Sequence, residues 1–73
     1  MPKLPALTSG KLISLLLANG YVFDHQTGSH RVYFNASSNK RVTVPYHKRD
    51  LPKGTLVAIL KAAGLMDEVR RIG

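Results

Sequence analysis

His30 is the side chain of this 73-residue sequence best placed to move a proton. It follows Gly28-Ser29, where glycine permits the backbone angles of a tight turn, and precedes Arg31-Val32-Tyr33-Phe34, a run of high β propensity. Histidine is the one side chain whose unperturbed pKa lies near neutrality. At a turn-to-strand junction it can reach a ligand while strand pairing fixes its backbone. Ser29 adds a small hydroxyl, suited to a phosphate contact or to a hydrogen bond within the turn. A histidine in such a place can also do no more than pack against or cap the turn. The charge around it decides between the two readings.

Eleven Lys and Arg stand against four Asp and Glu, for a net charge of +7 and a pI near 10.3. Between Gly28 and Gly54, Arg31, Lys40, Arg41, Lys48, Arg49 and Lys53 are opposed by Asp50 alone. Such a balance fits a polyanionic partner, whether nucleic acid, an anionic membrane or an acidic protein. Each of these side chains alone could be a solvated charge. Together with Ser29 and His47 they are the candidate nucleic-acid contacts, and they predict affinity that falls steeply with salt. Tyr33 and Tyr46 are suited either to stacking on unpaired bases or to packing. His25, His30 and His47 have neither cysteine companions nor a standard ligand spacing, so no metal site and no cofactor are expected. His25 reads as a solvent-facing strand residue.

The elements that must position these residues are few. A chain of this length buries only about 60% of its unfolded surface, and without cysteine it has no disulfide to compensate. One domain over 1–73 is expected, with 1–7 an extended lead-in because of Pro2 and Pro5, and 66–73 a short tail. Thr8 or Ser9 can cap a first helix running to about Asn19, with Leu12, Ile13, Leu15, Leu16 and Leu17 as its apolar face. Tyr21–Gln26, Ser29–Asn35 and Lys40–Val44 read as strands, the last ended by Pro45. Asp50 is the expected cap of a second helix, with Pro52 in its first turn and Leu56, Ile59, Leu60 and Ala63 on one face. Short links between consecutive strands predict an antiparallel meander. The fold class is therefore α+β, α-β-β-β-α, with both helices on one face of a three-stranded sheet, the layout of the double-stranded-RNA-binding domain. On that layout His30 shares a face with Val32 and Phe34, and alternation leaves open whether this is the core face.

No span of the ~20 apolar residues that a membrane helix needs is present. The run Leu12–Ala18 is interrupted by Ser14, and Asn19-Gly20 makes a poor cleavage site, so it is not read as a signal core. No membrane association is expected, and the expected location is the cytoplasm.

Several blocks together carry a more specific resemblance. Ser9-Gly10-Lys11, Asn19-Gly20-Tyr21, Gly28-Ser29-His30, Val42-Thr43-Val44-Pro45-Tyr46-His47, Leu51-Pro52-Lys53-Gly54-Thr55-Leu56, Ile59-Leu60 and Ala63-Gly64-Leu65 follow one another in order and spacing. From Thr8 to Leu65 the chain resembles the HicA family of toxin endoribonucleases. The resemblance implies a toxin that cleaves mRNA, with His30 as its catalytic histidine and Pro45-Tyr46-His47 as its Pro-x-His element. It also implies a cognate HicB antitoxin that blocks the active histidine.

The residue types suit that chemistry. RNA carries its own nucleophile, the 2′-hydroxyl, so cleavage needs proton transfer and stabilisation of developing phosphorane charge. A histidine can accept the 2′-OH proton or protonate the leaving 5′-oxygen, and Lys and Arg can stabilise the charge. His47, a lysine or water could serve the other proton. Two rival classes remain: a non-catalytic RNA-binding module, and an interaction protein whose basic face serves an acidic partner.

Overall fold

The computed structural model describes residues 7–46 and 49–67. The elements are α1 (Ser9–Ala18), β1 (Val22–Thr27), β2 (His30–Asn35), β3 (Lys40–Pro45) and α2 (Lys53–Ala63). The strands form an open antiparallel sheet in the order β1-β2-β3. This is the α+β order expected from the sequence, with α1 and the three strands bounded within a residue of their expected ends.

The start of α1 is set by Thr8, whose Oγ1 accepts from the Lys11 N–H at 3.2 Å. The start of α2 differs from expectation. Pro52 stands at its N-cap position without a side-chain hydrogen bond. Asp50 instead forms an isolated antiparallel bridge with Thr8, and the Leu51 N–H donates to the Leu7 carbonyl at 2.9 Å. That pairing holds residues 50–51 extended, so the helix begins only after Pro52. At the far end Gly64 closes α2 with φ 73°, a left-handed angle that favours glycine.

Leu12, Ile13 and Leu16 of α1 and Leu56, Ile59, Leu60 and Ala63 of α2 pack with Tyr33, Val42 and Val44 of the sheet. Both helices therefore lie on one face. The buried stripe of α1 is narrower than its apolar face, because Leu17 is 52% exposed. Polar ties fix the helix ends to the sheet. Ser9 Oγ donates to the Pro45 carbonyl at 2.6 Å. Buried Asn35 donates through Nδ2 to the Asn19 carbonyl at 3.0 Å, and its Oδ1 accepts from the N–H groups of Ser37 and Ser38. Tyr21 Oη donates to the Ala63 carbonyl at 2.9 Å. Burial pushes the Tyr21 phenol above its ordinary pKa, partly opposed by a hydrogen bond with Ser38.

The register settles which face is which. Tyr33 opposes Val42, and Arg31 opposes Val44, so Arg31, Tyr33 and Asn35 point toward the helices. His30, Val32 and Phe34 point the other way, with Arg41, Thr43 and Pro45 beside them. Both helices leave this second face open.

Candidate active site

His30 opens β2 and is exposed. Its neighbours hold the backbone on both sides: it pairs with Thr27 of β1 and with Pro45 of β3. The β1–β2 link is the two-residue loop Gly28-Ser29. Gly28 has φ 58° and Ser29 is not left-handed, the sign pattern of a II′ hairpin turn with glycine first. The Ser29 carbonyl accepts from the Tyr46 N–H at 2.7 Å. Pro45 is in turn the acceptor for Ser9, so the imidazole is mounted where the hairpin, the end of β3 and the start of α1 meet.

Along the open face from His30, the next cross-strand row is His25, Val32 and Thr43, and the row beyond is Val22, Phe34 and Arg41. Val32 is only 8% exposed although it is no part of the helix-covered core cluster, so its open-face neighbours shield it. The register of β1 shifts between Phe23 and His25, a bulge that takes Asp24 out of the ladder. Asp24 Oδ2 then meets His25 Nδ1 at 2.9 Å and Arg41 Nε at 3.4 Å. Arg41 belongs to the opposite edge strand. It reaches Asp24 by lying across β2, its guanidinium carbon 4.9 Å from the centre of the Phe34 ring.

The other basic candidates do not converge on one point. Arg31, next to His30 in sequence, lies on the helix side, half-buried, with its guanidinium carbon 3.9 Å from the Tyr46 ring centre. Its Nε is buried and makes no hydrogen bond among the described residues. Lys40 opens β3 at the end away from Pro45, near Gly64 of the α2 terminus. Arg49 is exposed beside Asp50, whose bridge to Thr8 brings it to the His30 end. Lys53 is exposed at the first position of α2. His47 and Lys48 lie outside the described residues, as do the arginines of the expected tail.

Tyr33 is a packing residue: it is 3% exposed and meets Phe23 edge-on at 5.8 Å. Tyr46 is 43% exposed beneath Arg31. Among the described residues no three His, Cys, Asp or Glu side chains gather into a metal-binding group. None of the described helices is long and apolar enough to cross a membrane. Thr27, Asp24 and Phe34 join the site only through strand register. For Thr27 a signal existed, since a two-residue hairpin loop dictates the pair that closes it. The open face thus offers an anchored, accessible imidazole at one end and an arginine over an aromatic ring at the other, with His25, Val32 and Thr43 between.

The model of one family, described as the HicA toxin of bacterial toxin-antitoxin, matches residues 9–65. No curated protein matches the chain.

Proposed function

The chain belongs to the HicA toxin family of toxin-antitoxin systems, and from that premise we propose that it is an endoribonuclease that cleaves mRNA, with His30 as its acid–base residue. The observation that carries this reading is the placement of His30: exposed on the open face, yet with its backbone tied to Thr27 and Pro45. A group that must meet the same phosphate in every turnover needs that combination of access and fixed position.

The RNA 2′-oxygen attacks the adjacent phosphorus and the bond to the 5′-oxygen breaks. The products are a 2′,3′-cyclic phosphate and a 5′-hydroxyl. One proton leaves the 2′-hydroxyl and one reaches the departing oxygen, and His30 handles one of the two. The reaction draws its nucleophile from the substrate, so we propose that it proceeds without metal or cofactor. Arg49, on the connection that leaves β3, and Lys53, at the first position of α2, supply positive charge. Ser29 contacts phosphate from the hairpin, and His47 and Lys48 are further RNA contacts. The partner that silences the protein is a HicB-type antitoxin covering His30, and both act in the cytoplasm.

The test incubates purified protein with a long single-stranded RNA in EDTA, beside a His30→Ala variant whose fold is checked by circular dichroism. Cleavage by the parent and none by the variant is the expected result. Intact RNA with both proteins, despite salt-sensitive binding, would leave a non-catalytic RNA-binding module. Equal cleavage by both would move catalysis away from His30.

A further inference from the structure

We infer that the Arg41–Phe34 pair is a base-stacking subsite, which seats an unpaired base of the RNA a few nucleotides from the phosphate at His30. This inference rests on the endoribonuclease reading above and adds a place where the substrate is gripped away from the reacting bond.

Three features of the pair point to a ligand surface. It is on the correct face: His30 and Phe34 are four residues apart on β2, and the even spacing puts both on the open side of the sheet. Strand geometry separates them by about 13 Å, roughly four rises of a stacked strand at ~3.4 Å each, and fewer nucleotides where the strand is extended. The pair is also accessible. The Arg41 side chain is 57% exposed and its guanidinium carbon lies over the Phe34 ring, so the group meets both the ring and solvent. Finally, it is positioned. Asp24, displaced from the ladder by the bulge, pairs with Nε at 3.4 Å from across β2, which keeps the guanidinium above that strand.

A guanidinium over an aromatic ring presents a planar, cationic surface of the kind on which nucleobases stack. Between it and His30, Val32 forms a shielded apolar floor, flanked by Thr43 and His25, over which a single strand can run. The expected occupant is a base of single-stranded RNA, because a base inside a duplex has both faces already stacked.

The experiment uses the His30→Ala protein and short single-stranded RNAs in which the fluorescent base 2-aminopurine is moved one position at a time. RNA integrity is checked on a gel. Quenching confined to one position or two adjacent positions is expected. It should disappear in a second variant carrying Phe34→Leu and weaken with Arg41→Lys, which keeps the charge but loses the plane. Affinity should fall about tenfold with Phe34→Leu, from the loss of one stacked base. Circular dichroism and denaturant titration establish that each variant is folded. Binding with no position-dependent quenching, or quenching unchanged in both variants, would overturn the stacking subsite while leaving an RNA-binding protein. Absence of binding to every RNA by the parent as well as the His30→Ala protein would overturn the endoribonuclease reading and the subsite with it.

Discussion

On the helix-covered side of the sheet, Arg31 lies 3.9 Å from the centre of the Tyr46 ring, its Nε buried and without a hydrogen bond among the described residues. On the open side, Arg41 lies 4.9 Å from the centre of the Phe34 ring with its Nε 3.4 Å from Asp24 and its side chain 57% exposed. The two are the same residue type in nearly the same kind of contact, yet their energetics are opposite. A buried donor without a partner costs about 1–3 kcal/mol, and Arg31 is kept in place by the packing around it. Arg41 is paired with Asp24, solvated and accessible to a ligand on the open face. Nearness in sequence to His30 is therefore a poor guide to a shared surface: its immediate neighbour Arg31 faces away from it, whereas Arg41, on another strand, faces the same way.

The contrast predicts which substitutions should unfold the protein and which should silence it. His30→Ala on the open face should lower cleavage by about 10²–10⁴-fold, the usual worth of a positioned acid or base. Its unfolding free energy from a urea titration should change by no more than about 0.5 kcal/mol. Leu60→Ala on the helix-covered face should do the reverse. Leu60 is fully buried, and its truncation should cost about 2–5 kcal/mol in a denaturant titration while the folded fraction keeps its specific activity. Equal stability losses from the two variants would break the division between the faces.

Much of this division was legible in the sequence, and some of it was not. Leu56, Ile59, Leu60 and Ala63 recur at helical spacing and all are buried, and Thr8 and Gly64 cap where their chemistry suggests. The orientation of β2 could not be read. Val32 and Phe34 on one face and Tyr33 on the other are all apolar, so alternation offers no contrast between inside and outside. The Asp24 bulge was equally hidden, because an extra residue in an edge strand leaves no mark on composition. Asp50 looked like a cap because its type is right for one, but its backbone is engaged with Thr8. Register, bulges and long-range backbone pairing arise from the assembled sheet, and these are what bring Thr27, Phe34 and Asp24 to the site.

Smaller effects sharpen the comparison. Tyr21→Phe removes the hydrogen bond to Ala63 on the helix side and should cost about 1 kcal/mol at neutral pH. Its pH dependence has a definite sign. Burial raises the folded phenol above the ordinary value of 10.0, so the folded state holds the proton more tightly than the unfolded chain. The stability from this group is complete below pH 10.0 and is lost as pH rises through the higher folded value. The Phe variant should lack that alkaline loss, which urea titrations at neutral and alkaline pH would reveal.

Arg31→Met replaces an orphaned buried donor with an apolar chain of similar length, so the variant should gain about 1 kcal/mol in the same titration. A loss of stability would show that the stack on Tyr46 outweighs the missing hydrogen bond. Asp24→Asn, on the open face, should cost less than about 1 kcal/mol, and the cost should shrink in high salt as expected of an exposed ion pair. A large, salt-independent cost would mean that the Asp24–Arg41 clasp is part of the fold's foundation.

The bulge at Asp24 also bears on how this protein keeps to itself. Every residue of β1 is exposed, and Val22 and Phe23 leave large apolar groups at the rim of an open sheet. A flat edge of that composition invites another chain to extend the sheet. The bulge interrupts the regular row of donors and acceptors that such an extension would need, and it increases the local twist. The other edge, β3, begins with Lys40-Arg41, two like charges that any incoming copy would have to meet with its own. One rim is irregular and the other is charged, so a very small, strongly basic domain with an unclosed sheet is guarded at both margins against growing into a fibre.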